Sequence, residues 1–253
     1  MHKWVMSFDL NSLYPHLIMQ YNLSPETLVS GEFIKDLKVD NVLKGIDFNL
    51  PDNTTITPNG ALYRKDIKGF LPEMMQEIYD DRTVYKKKML KAKQDYEDTK
   101  DPKYLKYISR YNNIQMARKI SLNSAYGAIG NQYFRYYDLA IAEGITTAGQ
   151  LSIRWIEKKI NQYLNKLLNT DKDYVIASDT DSIYVTFDEL VKKYNPKNAV
   201  YFLDTIAKEK IEPFINKSYQ QLSDYTTAYE QKMFMKREVI ADKGIWTAKK
   251  RYI

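Results

Sequence analysis

The chain has 253 residues, 44% of them hydrophobic, which is enough to bury one large core. It contains no cysteine, which excludes disulfides, thiolate metal sites and cysteine nucleophiles, so a metal would have to sit on oxygen or on the two histidines. No apolar stretch approaches the roughly 20 residues of a membrane span and the first ten residues lack a signal-peptide core, so a soluble, cytoplasmic protein is expected. The net charge of +6 is unevenly spread: residues 82–119 carry twelve Lys/Arg against four Asp/Glu, a local excess of +8. Such a block suits a polyanion, although a solvated helix face is the commoner meaning of a charge run.

In chain order, KWVMSFD reads as a strand ending at Asp9. In NSLYPHLIMQ, Ser12 is an expected N-cap and Pro15 sits in the tolerated first turn of a short helix. Residues 29–68 read as irregular β structure with a turn at Pro58, Asn59 and Gly60. A helix is predicted over about residues 71–98, broken by Asp101-Pro102, and a second over about 103–126; together they form an antiparallel hairpin that holds the basic block. A third long helix, about 139–168, leads to YVIA, SDTDS and IYVTF, a β-hairpin with acids at its tip. A further helix over about 198–223 and a second hairpin turning near Asp242, Lys243 and Gly244 complete the pattern. The fold class is α+β, an antiparallel sheet backed by helices with a helical hairpin inserted at about 69–127.

Asp179 and Asp181 flank one threonine between two apolar runs. An Asp-x-Asp alone is more often a structural turn than a site. A third carboxylate, Asp9, at the end of another strand changes the balance, because packed carboxylates either bind cations or take up protons. Lys119, Asn123 and Tyr126 share one helix face; Arg82 and Lys86 are likewise four apart; Gly127 permits a turn or a close backbone approach. These cations could hold a triphosphate, or form an ordinary basic helix.

Four segments in order, SFDLNSLYP, KISLNSAYG, SDTDS and AKKRYI, resemble the polymerase motifs of family B DNA-dependent DNA polymerases. NLSPET, TPNG, FRYYDLA and ITTAGQ resemble the branch of that family found in T-even-like tailed phages. The resemblance covers essentially the whole chain. It implies a palm in two parts, residues 1–68 with an irregular β insertion and 128–253 ending at KKRY, and a fingers hairpin at 69–127; exonuclease and thumb are expected to be absent. It implies template-directed nucleotidyl transfer from a dNTP to a primer 3′-OH with two Mg2+ ions, Mn2+ being an alternative, and no protein nucleophile.

Carried over residue by residue, the resemblance makes Asp9, Asp181 and the Leu10 carbonyl the metal ligands, with Asp179 in a lesser role and Glu238 as a nearby supporting acid. Leu13 and Tyr14 face the nucleotide, Tyr14 as a steric gate under the deoxyribose. Arg82, Lys86, Lys119 and Asn123 grip the triphosphate, Lys119 also as an acid for pyrophosphate, and Tyr126 lies beneath the nascent base pair. Gly127, Lys249, Lys250, Arg251 and Tyr252 follow the DNA. His2 and His16 are expected bystanders. His16 stands where the family usually has a small residue, and Ser178 where glycine is common. Primer–template DNA and dNTP are the implied ligands, and a separate exonuclease or thumb chain and a sliding clamp the implied partners. A partial core of this kind is expected to bind DNA weakly and to lack exonuclease activity; a non-catalytic remnant, part of a split polymerase or a phosphodiesterase are the alternatives.

Overall fold

A computed structural model describes residues 1–248, 251 and 252. Its central sheet has the order β5-β6-β1-β7, from β1 (His2–Leu10), β5 (Val175–Ser178), β6 (Ser182–Thr186) and β7 (Met235–Gly244). Its pairings are antiparallel. The middle of β1, Val5 to Phe8, is buried on both faces and is apolar except for Ser7, because it lies between β6 and β7 and under helices.

The helix over the sheet is α5 (Leu139–Leu168). Asp138 caps it, accepting from the Ile141 N–H at 3.1 Å. Ile141, Ile145, Ala148, Ile156, Ile160 and Leu164 recur with helical period on its buried face. Each fully buried Leu or Ile stabilises the fold by roughly 1.5–3 kcal/mol. α1 (Leu13–Gln20) and α8 (Glu212–Tyr225) pack beside it. A smaller sheet, β2-β4-β3 (Leu28–Phe33, Ala61–Arg64, Thr54–Ile56), is tied to the end of α8 where Thr226 O accepts from Ile56 N–H and Thr55 Oγ1.

The helical hairpin consists of α3 (Phe70–Thr99) and α4 (Lys103–Ile129), broken at Lys100 to Pro102 as the Asp-Pro signal predicts. α4 runs through Gly127 without a turn, and a Cβ there would meet nothing within 4 Å, so this glycine is neither a turn nor a close-approach position within the protein. The hairpin is anchored by the segment after α1. Asn22, fully buried with φ of 54°, donates through Nδ2 to the carbonyls of Arg64 (2.7 Å) and Ile67 (2.8 Å) and accepts from Gly69 N–H at 2.8 Å. Glu26 accepts from Phe70 N–H and Ser24 Oγ from Leu71 N–H. Amides that a helix start leaves without intrahelical partners are thus satisfied by residues 22–26.

The structure departs from the sequence reading in five places. Two short helices, α2 (Val39–Lys44) and α6 (Asp188–Tyr194), are too brief to show an apolar stripe and owe their stability to packing; α2 lies on α5 and α6 on β1. The helix expected over 198–223 is α7 (Ala199–Ile206), a π-helical turn (Ala207–Ile211) and α8 in succession. The π turn precedes Pro213, which has no N–H to donate to the previous turn. Ser12 stands at the start of α1 but in the left-handed region, φ 50°, and its side chain makes no cap bond. No hairpin turn forms at Asp242 to Gly244: β7 continues through Gly244 because His2 and Lys3 of β1 pair with Gly244 and Lys243, and β8 (Trp246–Ala248) pairs with β9 (Arg251–Tyr252) instead.

Because Asn22 satisfies three backbone groups, Asn22→Ala is expected to destabilise the chain by at least about 2 kcal/mol in urea unfolding. Asn22→Gly, which relieves the positive φ but loses the same bonds, should be nearly as damaging; recovery of stability in the glycine variant would assign the effect to backbone strain instead.

Candidate active site

A cavity of about 490 Å³ lies between the central sheet, α1 and the base of the helical hairpin. Its acidic wall comes from the sheet. Asp9 stands opposite Ser182 of β6 and Lys236 of β7, and the Leu10 N–H donates to the Asp181 carbonyl at 2.8 Å. That bond ties the end of β1 to the tip of the β5–β6 hairpin, so Asp9 and Asp181 line the same space. Glu238 of β7, the residue skipped by the β1 register at a bulge between Ser7 and Phe8, joins them.

Asp179 takes a different place. Its Oδ1 accepts from Thr180 N–H at 2.8 Å and its own N–H donates to Ser182 O at 2.9 Å. It lines a neighbouring cavity with Gly149, Gln150 and Arg154. The two cavities share Leu13, Tyr14 and Thr180. Ser178, where glycine was the expectation, closes β5 opposite Ile183 without a positive φ.

The opposing wall is cationic. Arg82 and Lys86 reach the cavity from α3, Lys119 and Asn123 from α4. Their neighbours in sequence face elsewhere: Asp81 holds Arg118 at 2.6 Å, bracing the two helices. The buried Nε of Arg82 has no hydrogen-bond partner among the described residues, an uncompensated donor at the edge of the cavity and the type of group an anionic ligand would satisfy. Between the walls, Tyr14 of α1 lies against Tyr126 of α4, ring centroids 4.7 Å apart. Burial, then Tyr126 and Asp181, push the Tyr14 hydroxyl pKa up, so the phenol stays neutral.

Three contributions were not read from the sequence. Asn11 donates from Nδ2 to the Tyr79 hydroxyl, joining the loop after Asp9 to α3. His16 does not reach the cavity, yet it is buried, packs edge-on against Tyr79 at 4.6 Å, and its Nδ1 lies 3.0 Å from Ser12 O. A carbonyl can only accept, so that nitrogen carries the proton. Burial lowers the His16 pKa and Lys232 and Arg82 add to this, outweighing the Ser12 carbonyl, so the ring is neutral. Tyr79 precedes Arg82 and Lys86 by three and seven residues, a same-face spacing that marks it on the α3 pattern; nothing comparable marks Asn11.

Of the remaining predicted positions, Gly127 and Arg251 do not line this cavity. Gly127 is inside α4, and Arg251 is exposed on β9. Tyr252 pairs through its backbone with Trp246, and Lys249 and Lys250 lie outside the described residues. His2 packs on Trp246, centroids 5.9 Å apart.

Burial first, then Asp181 and Glu238, raise the Asp9 carboxyl from 3.8 to about 7. Among the described residues no three His, Cys, Asp or Glu side chains converge as a complete metal cage. A pair of crowded carboxylates nevertheless fits a hard divalent cation of the magnesium type, which is held by one or two carboxylates and takes its other ligands from water and phosphate oxygens.

The family model for DNA polymerase family B matches residues 1–253. The chain is 36% identical to the DNA-directed DNA polymerase of Enterobacteria phage T4 and 35% to that of Escherichia phage RB69, in each case over 99% of this chain and 34% of the relative. It is also 31% identical to the DNA polymerase delta catalytic subunit of Arabidopsis thaliana over 73% of this chain and 15% of that one. The chain therefore spans about a third of the length of the phage relatives it matches.

The raised Asp9 value fixes the sign of a pH effect. Below pH 3.8 the carboxyl is neutral in both folded and unfolded chains; between 3.8 and about 7 the folded chain holds the extra proton, so stability falls as pH rises and the cost is complete above about 7. Asp9→Asn removes that cost. After discounting for solvent screening at this half-exposed group, its Tm at pH 8 is expected to exceed that of the unaltered chain by roughly 2–4 °C, about 1 kcal/mol at this length. The gain should be smaller at pH 5, and an equal gain at both pH values would reject the raised pKa of the buried, crowded Asp9 carboxyl.

Proposed function

The chain belongs to DNA polymerase family B, and on that premise we propose that the cavity carries out template-directed DNA synthesis, joining a dNTP to a primer 3′-oxygen with release of pyrophosphate. The observation that carries this reading is the make-up of one cavity, with carboxylates on one wall, three cations from two antiparallel helices on the other, and Tyr14 between them. Hydrolysis of a phosphodiester would use the carboxylates but has no need of the cationic wall. Transfer from a triphosphate uses both.

In this reading the central sheet with α5 is the palm, residues 1–68 and 128–253, and the α3–α4 hairpin, within 69–127, is the fingers. Asp9, Asp181 and the Leu10 carbonyl would hold two magnesium ions, or manganese in their place, with Asp179 a lesser participant from the adjoining cavity and Glu238 a supporting acid. Bound there, the ions supply charge neutralisation for the attacking and departing oxygens. Arg82, Lys86, Lys119 and Asn123 grip the triphosphate and orient its α-phosphorus toward the primer; Lys119 can place a proton on the departing pyrophosphate. No side-chain nucleophile takes part.

Tyr14 and Leu13 form the floor under the sugar. Braced by Tyr126 at 4.7 Å, the Tyr14 ring leaves little room for a 2′-hydroxyl, and discrimination is by shape. Gly127, Lys249, Lys250, Arg251 and Tyr252 are assigned to the primer–template duplex. An exonuclease or thumb on another chain and a sliding clamp would add proofreading, grip and processivity.

Primer extension tests the reading. Incorporation of the templated dNTP with magnesium is expected to fall by at least about 10²–10³-fold in Asp9→Ala and in Asp181→Ala; metal-dependent degradation without incorporation would replace it with a phosphodiesterase, and DNA binding without either activity with a non-catalytic remnant. Tyr14→Ala should raise ribonucleotide use relative to deoxyribonucleotide by roughly tenfold or more, worth about 1.4 kcal/mol. Unchanged sugar selectivity in that variant rejects the gate.

A further inference from the structure

The basic block is larger than the cavity requires. Of the twelve Lys/Arg in residues 82–119, Arg82, Lys86 and Lys119 line the cavity, while Lys100, Lys103 and Arg118 are paired with Glu97, Asp101 and Asp81. Lys87, Lys88, Lys91, Lys93, Lys106 and Arg110 are exposed and have no ion pair among the described residues.

The same part of the hairpin carries a row of tyrosine rings. Tyr104, Tyr107 and Tyr111 follow one another on α4 at spacings of three and four, which places them on one face. Centroids are 6.4 Å apart from Tyr104 to Tyr107 and 6.2 Å from Tyr107 to Tyr111, the latter pair nearly parallel at 16°. Tyr85 of α3 extends the row, 6.1 Å from Tyr111. Lys88 sits 5.2 Å from the Tyr85 centroid and Lys103 5.0 Å from that of Tyr104. Tyr107, in the middle, is 45% exposed. A row of rings set among exposed cations, most of them without an ion pair among the described residues, is not core, and it lies outside the cavity: Tyr107 is about 18 Å along α4 from Lys119 at the helical rise.

We infer that this outer face of the hairpin binds unpaired single-stranded DNA. The cations track phosphates and the rings offer flat surfaces on which bases stack, each stacked base contributing about 1–3 kcal/mol regardless of sequence. A duplex would engage the cations but keeps its base faces covered, and an acidic protein segment would likewise have no planar groups for the rings. If the chain polymerises, the strand concerned is the template ahead of the cavity; that assignment rests on the proposed function, whereas the binding surface does not.

Fluorescence anisotropy with a labelled oligo(dT) of about 20 nucleotides, beside a duplex of the same length, provides the test. Expected are tighter binding of the single strand and a loss of at least about fivefold in affinity for Tyr107→Ala, the low end of one stacked base. Tyr107→Phe, which keeps the ring, should retain affinity. Lys88→Glu combined with Arg110→Glu should weaken binding and flatten its salt dependence. Equal binding of duplex and single strand, or unchanged affinity in Tyr107→Ala, overturns the inference; weakening by the charge reversals alone would reassign the surface to an acidic protein or another polyanion and overturn it equally. Primer extension on a template with a one-nucleotide overhang separates the two readings, because the surface variants should extend it as well as the unaltered chain does. Absence of extension by the unaltered chain, with oligo(dT) binding intact, counts against the catalytic reading and leaves this one supported.

Discussion

The site depends on one strand register. β1 pairs with β6 so that Asp9 faces Ser182, and the Leu10 N–H reaches the Asp181 carbonyl at 2.8 Å. A slip of one residue would turn Asp9 to the other face of the sheet and part it from the hairpin tip. Met6 and Phe8, fully buried on one face, oppose that slip, since it would put Ser7 where large apolar side chains now pack. On the β7 side, a bulge between Ser7 and Phe8, with Ser7 Oγ accepting from Val239 N–H at 3.2 Å, sets the local register that brings Glu238 to the cavity. Bulges commonly serve to re-aim a strand beside a site.

Charge of opposite sign arrives from separate parts of the fold. The sheet buries Asp9 and sets it beside Asp181 and Glu238, so that its carboxyl resists ionisation up to about pH 7; the hairpin presents Arg82, Lys86 and Lys119 across the gap. Each wall is costly by itself and is held by contacts made outside the cavity. Asp81 and Arg118 brace the two helices, while Asn22, Ser24 and Glu26 fix the start of α3 on the core side. Asn11, His16 and Tyr79 link the strand end to the helix. The distance between the walls therefore follows from the contact of α3 with α1 and of α4 with α5, not from attraction between the charges.

Much of this was legible in the chain itself. Apolar period and Asp-Pro punctuation locate the helical hairpin, and α5 follows the predicted 139–168 span, because long elements average many weak signals. Short elements do not: α2 and α6 are stabilised by what they lie on, and the turn expected at Asp242 to Gly244 is overridden by the free end of β1, which offers hydrogen-bond partners that local turn propensity cannot match. Ser12 illustrates the same competition, its side chain giving up the cap bond while its backbone carbonyl takes the His16 ring.

The amino-acid order by itself determined the family, the α+β class, and the candidacy of Asp9, Asp181, Arg82, Lys86, Lys119 and Tyr14, since ordered motifs and same-face spacings are local properties. Only the tertiary structure decided which of those groups share one cavity. It set Glu238, already expected nearby, in the cavity with Asp9 and Asp181, and turned Asp179 onto its own hairpin turn. It also made His16 a buried packing residue. The reason is physical: register, bulges and helix docking are set by burial of residues distant in sequence, and side-chain direction at the end of a strand follows from them.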